Sequence, residues 1–240
     1  MQPILKYPFF LALDKKDPEE AWKFLQAHHD NIGGVKLGPK LILQAGWDFI
    51  KKASEIAPVF LDFKFHDIPS VTLAAVKESF RLGASFVTVH ASVGKEALSL
   101  LYNFQEEANK SRPFKILVVS ILTSFSEEQQ LPHWKEGAIK DKVKALASLV
   151  KQSGLNGFVC SPQEVKYLKP LNPDFFFVTP GIRLTSNHNA LAEDDQSRTL
   201  TPLEALSAGS NAMVIGRPIY NSENPENILQ SIILDCKSVL

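Results

Sequence analysis

The 240-residue sequence has few cysteines, no net charge and no long apolar segment. Its two cysteines, Cys160 and Cys236, are too few for a disulfide framework and lack metal-ligand spacing. Lys and Arg total 26, as do Asp and Glu, so the excess of positive charge typical of nucleic-acid binding is missing. No apolar run approaches the roughly 18 residues of a membrane span, and the N-terminus has no signal-peptide pattern. We therefore expect a soluble cytoplasmic protein with neither nucleic-acid nor membrane partners.

Hydrophobic residues nevertheless make up 45% of the chain, enough for a large core. They are concentrated in eight short runs, at residues 9–13, 34–37, 59–63, 86–89, 116–122, 157–160, 175–178 and 212–215. Continuous runs rich in Val, Ile and Phe are typical of parallel strands buried on both faces. The runs therefore predict eight parallel strands.

A helical pattern follows each run, at residues 18–28, 39–56, 68–82, 95–108, 140–152, 162–168, 202–207 and 225–239. Eight strand–helix units predict a single-domain α/β fold over residues 1–240, a (β/α)₈ TIM barrel. A doubly wound open sheet alternates in the same way, but no glycine fingerprint follows the first strand. The long polar connection 182–200 predicts a mobile loop, because loops of this length in compact domains are often functional lids.

The segment LDFKFHDIP at 61–69 carries the densest cluster of charge at a strand end. Alternate residues of an extended strand share a face, so Asp62 and Lys64 should point the same way. Asp67 follows after the strand. Carboxylates beside a lysine favour its protonated form. The segment therefore predicts a fixed proton donor in an acidic frame, at the barrel end where catalytic groups lie.

The last two strand ends, VTPGIR and VIGRPI, each place glycine and arginine after an apolar run. Glycine lets a backbone N–H approach an anion closely, and arginine offers a bidentate fork to phosphate oxygens. Barrels often bind phosphate after strands 7 and 8, so Gly216, Arg217 and Arg183 are phosphate candidates. The alternative is an ordinary turn into a helix. His66 and His90 are interpreted as packing or hydrogen-bonding residues rather than metal ligands.

Together these motifs resemble the orotidine 5′-phosphate decarboxylase family of the short, stand-alone bacterial type. The matching elements are ALD at 12–14, VKLG at 35–38, DFKFHDIP at 62–69, VHAS at 89–92, LTS at 122–124, TPGIR at 179–183, Gln196 and GRPI at 216–219. The resemblance implies a homodimeric (β/α)₈ barrel that converts orotidine 5′-phosphate to UMP and CO₂, the last step of de novo pyrimidine nucleotide synthesis. It also implies that no cofactor or metal is needed.

The resemblance further implies a role for each matching residue. Lys64 would donate a proton to C6 of the pyrimidine, Asp62 would lie beside the substrate carboxylate, and Asp67 would reach into the neighbouring subunit's site. The substrate-binding candidates are Asp14 and Lys36 at the ribose, Thr123 and Ser124 at the base, and Gln196, Gly216 and Arg217 at the phosphate, with Pro180 and Arg183 alongside. The family's threonine that contacts ribose across the dimer is replaced here by Val71, and Thr72 follows it as the candidate for that contact.

Two other functions compete with this interpretation. Sugar-phosphate decarboxylases and aldolases of the same superfamily also carry D-x-K-x-x-D, but they use Mg²⁺ and an enediolate intermediate. The LTS, PGIR and Gln196 elements favour the nucleotide substrate instead. A catalytically silent phosphate-binding barrel is the second alternative, and the intact set of Asp62, Lys64 and Asp67 argues against it.

Overall fold

A closed parallel barrel forms the centre of the molecule. The computed structural model describes residues 5–15, 17–132, 134, 136–184 and 199–239. Its strands pair in sequence order, and the last pairs with the first. They are β1 (Phe9–Ala12), β2 (Gly34–Leu37), β3 (Val59–Phe65), β4 (Phe86–His90), β5 (Lys115–Val119), β6 (Gly157–Val159), β7 (Phe176–Thr179) and β8 (Ala212–Ile215). The predicted (β/α)₈ barrel is confirmed, and the open-sheet alternative is wrong.

Helices cover the outside of the barrel. In the described residues they are α1 (Pro18–His28), α2 (Pro39–Ala45), α3 (Asp48–Ser54), α4 (Pro69–Arg81), α5 (Gly94–Ala108), α6 (Ile139–Ser153), α7 (Pro162–Leu168), α8 (Pro202–Ser207), α9 (Arg217–Tyr220) and α10 (Pro225–Val239). Asp17 caps α1, while Ser161 and Thr201 form capping boxes at α7 and α8, so their side-chain oxygens satisfy free helix N–H groups. None of these helices is long and apolar enough to cross a membrane.

Two predicted elements differ from the structure by more than two residues, and the short helix α9 is not among the predicted helices. The helix predicted over 39–56 is broken at Gly46, whose φ of 76° and ψ of 171° belong to a region that essentially only glycine occupies. The strand predicted over 116–122 ends at Val119. Beyond it the chain turns, with the Phe125 N–H bonded to the Leu122 carbonyl. This turn carries Thr123 and Ser124 into the mouth of the barrel.

Aromatic rings fill the half of the barrel interior that lies toward the amino ends of the strands. Phe10 packs edge-on against Phe60 and Phe86, with ring centroids 5.1 and 5.0 Å apart, and Phe86 stacks on Phe176 at 6.0 Å. These rings belong to a buried inner cluster that is separate from the larger core between sheet and helices. The packed rings form a floor, which we call the aromatic floor, beneath the carboxyl ends of the strands.

A buried lysine lies at the amino end of β5, below this floor. Lys115 donates a hydrogen bond from Nζ to Asn156 Oδ1 at 2.8 Å, and its ammonium faces the Phe176 ring. Burial lowers the pKa of Lys115 to about 8, against a weaker opposing effect of Glu106. This lysine lies at the end of the barrel opposite the predicted site.

Candidate active site

A cavity of about 290 Å³ opens at the carboxyl ends of the strands. Ten of the predicted site residues line it: Asp14, Lys36, Asp62, Lys64, Thr123, Ser124, Pro180, Arg183, Gly216 and Arg217. They come from loops and strand ends far apart in sequence, and the closed barrel brings them to one rim because all its strands run parallel. The carboxyl end of the barrel is therefore the candidate active site.

Alternating charges cross one side of this cavity. Lys36 Nζ lies 3.4 Å from Asp14 Oδ1 and 3.6 Å from Asp62 Oδ2, and Lys64 Nζ lies 2.9 Å from Asp62 Oδ1. Lys36 is buried, and the Asp62 side chain is 15% exposed. Asp62 thus lies between two ammonium groups, and Lys36 lies between two carboxylates. The arrangement stabilises charges that burial alone would disfavour.

The pKa of Asp62 lies below its ordinary value. Burial opposes ionisation and is the largest single influence. The positive charges of Lys36 and Lys64, together with hydrogen bonds from Lys64 and Thr88, outweigh it. Asp62 is consequently a carboxylate at neutral pH and holds the Lys64 ammonium beside it.

Lys64 reaches the cavity from an unusual backbone conformation. Its φ is 50°, and it is the one non-glycine residue with positive φ in the part of the chain that the structure describes. Such a conformation costs an L-residue on the order of 1–3 kcal/mol. Strained backbone conformations persist where the surrounding structure fixes the chain, and they are concentrated at functional sites.

The opposite side of the cavity is formed by the two glycine–arginine turns. Arg183 and Arg217 both line it, and the Arg183 guanidinium donates to the Ile182 carbonyl at 2.8 Å. The backbone of Arg183 is tied to Leu200, whose carbonyl accepts the Arg183 N–H at 3.0 Å. Gly216 lies so close to β1 that a Cβ there would be 3.0 Å from that of Ala12. The cavity thus has an arginine-rich end and an end of mixed charge.

Sequence reasoning missed Tyr220, at the end of the GRPIY segment. This tyrosine lines the cavity together with Asp14 and Arg217. Burial raises the pKa of its phenol, Asp14 adds to that effect, and Arg217 opposes it. A tyrosine four residues after a glycine carries no signal of its own, so only the structure identifies it.

Two predicted residues that the structure describes, Asp67 and Thr72, are not among those that line the cavity. Asp67 is exposed, its carboxylate accepts the Ile68 N–H at 2.7 Å, and among the described residues Lys64 pairs with Asp62 and not with Asp67. Within one chain, the acidic frame predicted around Lys64 thus consists of Asp62 without Asp67. Thr72 is fully buried, and its hydroxyl donates to the Asp67 carbonyl at 2.9 Å. Gln196 lies outside the described residues.

A second cavity, of about 780 Å³, lies beside the first and shares Leu122 with it. The imidazole rings of His66 and His90 stack on its wall with centroids 5.2 Å apart. Burial, the neighbouring His66 and Lys64 all lower the pKa of His90. Within the described residues no group of three or more His, Cys, Asp or Glu is arranged to hold a metal ion. The histidines thus pack against each other.

Known proteins resemble this chain over nearly its whole length. The profile of the orotidine 5′-phosphate decarboxylase / HUMPS family matches residues 7–232. An orotidine 5′-phosphate decarboxylase of Aliivibrio fischeri (strain MJ11) is 38% identical over 232 residues, which cover 96% of this chain and 97% of the relative. The enzyme of the same name from Synechococcus sp. (strain CC9605) is 41% identical over 223 residues, 90% of each protein.

Solved structures agree with this. The crystal structure of orotidine 5′-phosphate decarboxylase from Lactobacillus acidophilus superposes with a TM-score of 0.79 at 33% sequence identity, over 96% of this chain and 99% of that one. An uncharacterized conserved protein from Geobacillus kaustophilus superposes equally well, at 29% identity over 95% of this chain and 99% of that one. The similarity extends over whole chains in both cases.

Proposed function

Because the chain belongs to the orotidine 5′-phosphate decarboxylase / HUMPS family, we infer that it decarboxylates orotidine 5′-phosphate to UMP and CO₂. This is the last step of de novo pyrimidine nucleotide synthesis. The observation that carries the inference is the Lys64 ammonium 2.9 Å from the Asp62 carboxylate, in one cavity with Arg183 and Arg217. The two arginines suit the phosphate of a nucleotide substrate. The ammonium suits a reaction in which a carbon atom of that substrate must be protonated.

The chemistry requires stabilisation of a localised carbanion. When the bond between C6 and the carboxylate breaks, CO₂ leaves and the electron pair stays at C6, where no adjacent carbonyl delocalises it. A preorganised ammonium at C6 stabilises that charge and then donates a proton to it. We assign this role to Lys64, which regains its proton from solvent. Asp62 is assigned a place beside the substrate carboxylate, where repulsion falls as the charge on the leaving group disappears.

The remaining cavity residues are assigned to binding. Arg217, Arg183 and the backbone of Gly216 suit the phosphate, with Pro180 beside them, because guanidinium forks and close backbone N–H groups bind its oxygens. Asp14 and Lys36 suit the ribose hydroxyls, and Thr123 and Ser124 suit the polar edge of the base. Tyr220 is added to this set at the phosphate end. The substrate phosphate lies far from the breaking bond, so the free energy of binding it can be used to organise the site. A contribution of Gln196 from the loop 182–200 stays a prediction.

We assign Asp67 to the site of a second subunit in a homodimer. Its side chain is exposed and accepts the Ile68 N–H, whereas Lys64 of the same chain pairs with Asp62, and two apolar neighbours, Ile68 and Val71, are 62% and 46% exposed. Exposed apolar side chains around a functional carboxylate suit a surface that another copy covers. Thr72 supports Asp67 from inside α4, and its contact with ribose stays a prediction. The cytoplasmic location likewise stays a prediction.

The decisive experiment follows the loss of orotidylate absorbance with purified protein, with and without excess EDTA. We expect turnover that EDTA does not change, with UMP as product. No turnover of orotidine 5′-phosphate would contradict the proposed function. Turnover that requires added Mg²⁺ would instead favour a metal-dependent sugar-phosphate enzyme of the same superfamily.

A further inference from the structure

Strand β3 bulges at the point where it carries the charged pair. Leu61 pairs with Val87 of β4, but the next pair joins Phe65 to Val89. Asp62, Phe63 and Lys64 therefore lie opposite a single residue of β4, which is Thr88. A bulge of this kind re-aims side chains and leaves backbone groups of the bulged strand without their ladder partners.

The Thr88 hydroxyl takes over the role of a missing ladder acceptor. The backbone N–H of Lys64 donates to Thr88 Oγ1 at 2.9 Å. Lys64 is the residue with φ of 50°, so this hydrogen bond holds the chain at its strained position. Without the hydroxyl, the Lys64 N–H would lose its acceptor in a part-buried site.

The same hydroxyl also holds the carboxylate. Thr88 Oγ1 lies 3.0 Å from Asp62 Oδ1, and Lys64 Nζ reaches that oxygen at 2.9 Å. A hydroxyl has one proton to donate, and the Lys64 N–H must be a donor, so the Thr88 proton is directed to Asp62. Three hydrogen bonds thus run from the Lys64 backbone N–H through the Thr88 hydroxyl and the Asp62 carboxylate to the Lys64 ammonium. The Lys64 side chain itself closes the ring.

We propose that Thr88 is a positioning residue for the decarboxylation, a role that rests on the proposed function. Its hydroxyl fixes the two ends of the catalytic pair at once: the backbone from which Lys64 projects and the carboxylate against which its ammonium lies. The ammonium is thereby aimed at one point in the cavity before substrate binds. Thr88 is fully buried, so valine, which has nearly the same shape, would fill its space but break both hydrogen bonds.

The test compares Thr88→Val, Thr88→Ser and Thr179→Val. Thr179 is a matched control, because it is a fully buried strand threonine whose hydroxyl bonds Ser210 at 3.0 Å, and neither residue is among those that line the cavity. We expect Thr88→Val to lower kcat by roughly 10- to 100-fold, since small misplacements of reacting groups have effects of this size. The KM for orotidine 5′-phosphate and the Kd for UMP should change less than about threefold, because binding groups stay in place. Thr88→Ser should keep most of kcat, and Thr179→Val all of it.

The pH profile separates positioning from general structural damage. Thr88→Val removes a hydrogen bond to the Asp62 carboxylate, so the acid limb of kcat/KM should move to higher pH, whereas it should stay in place for Thr179→Val. A Thr88→Val protein with wild-type kcat and an unmoved acid limb would overturn the proposal, as would an equal loss of kcat in Thr88→Ser. If Thr88→Val does not fold, Thr88→Ala tests the same hydroxyl.

Amide hydrogen exchange gives a readout that needs no activity. The Lys64 amide should exchange faster in Thr88→Val and stay protected in Thr88→Ser and Thr179→Val. Unchanged protection in Thr88→Val would contradict the role of Thr88, whatever the enzyme turns over. If the unmodified protein does not decarboxylate orotidine 5′-phosphate but the variants show this exchange pattern, only the proposed function is contradicted.

Discussion

At the scale of single residues, Lys64 is the group on which the proposed chemistry depends most. We expect Lys64→Ala to lower kcat by a factor on the order of 10³ or more, because both the proton and the positive charge at C6 are lost. UMP carries no charge at C6, so its binding, measured by calorimetry, should change only a few-fold. Near-normal turnover in this variant would refute the role of Lys64 as proton donor.

Asp62 makes a separate prediction about pH and stability. Its folded-state pKa is lowered below the ordinary 3.8, so its ionic contacts stabilise the fold above that pH and are lost as pH falls through the lower value. Asp62→Asn should therefore destabilise the protein at neutral pH, by about 1–3 kcal/mol. Breaking a fully buried pair costs more, but the Lys64 side chain is 40% exposed, so water can solvate it, and the buried Lys36 keeps Asp14 as a partner at 3.4 Å.

Urea denaturation across pH checks this expectation. The stability difference between the natural protein and Asp62→Asn should be constant from about pH 5 to 8 and shrink below about pH 4. Asp48→Asn is the control, because Asp48 is an exposed carboxylate paired with Lys51 on α3, and its removal should change stability little at any pH. A difference that does not depend on pH would show that the Asp62 charge contributes nothing to the fold.

At the scale of secondary-structure elements, β5 carries a charge that works against the fold. Burial lowers the pKa of Lys115 from 10.5 to about 8, so the folded state binds its proton less tightly than the unfolded chain does. Stability therefore rises as pH increases from about 8 to 10.5. Lys115→Met should raise stability at pH 7, by up to about 3 kcal/mol, and remove this rise.

Urea denaturation between pH 7 and 10.5 measures this effect. Lys95→Met is the matched control, because Lys95 is exposed on α5 and its loss should leave the pH profile unchanged. A Lys115→Met protein that is less stable than the natural one at pH 7 would mean that the hydrogen bond to Asn156 outweighs the cost of burying the ammonium.

The elements themselves could be predicted because parallel barrel strands are continuous apolar runs and the helices begin at recognisable caps. The break at Gly46 could not, because a single glycine inside a helical pattern is usually tolerated. The contacts of Thr88 could not be predicted either. They depend on the bulge in β3, and a lysine with positive φ has no sequence signature.

The candidate site was predictable to a similar degree. Strand-end positions identify groups such as Lys36 and Arg217, because the topology of a closed barrel brings all strand ends together. The direction in which Asp67 points depends on the turn after β3, where its carboxylate bonds the next N–H. Local geometry of this kind is decided by contacts within the fold and not by residue spacing.

At the scale of the whole molecule, the assignment of Asp67 to a partner subunit predicts complementation. Lys64→Ala and Asp67→Asn proteins, each inactive alone, should form mixed dimers in which one site has an intact lysine and an intact partner aspartate. Random pairing at equal amounts makes half of the dimers mixed, and each mixed dimer has one intact site out of two. About a quarter of natural activity should therefore return. Turnover after co-refolding of the two variants measures it.

A mixture of Lys64→Ala and Asp62→Asn proteins is the control for this experiment. Both of those residues line the cavity of their own chain, so each site of a mixed dimer keeps one defect. No recovery is expected from that pair. Equal recovery from both mixtures, or none from either, would contradict the assignment of Asp67 to the partner.

The aromatic floor has a kinetic consequence. In the described part of the chain, Phe10, Phe60, Phe86 and Phe176 close the barrel beneath the charged cavity. Substrate and products therefore use the same opening of the cavity. The nucleotide enters there, and CO₂ and UMP leave there. UMP still in place blocks the next substrate molecule, so product inhibition should be strictly competitive, and slow departure of UMP would limit the turnover of an otherwise fast chemical step.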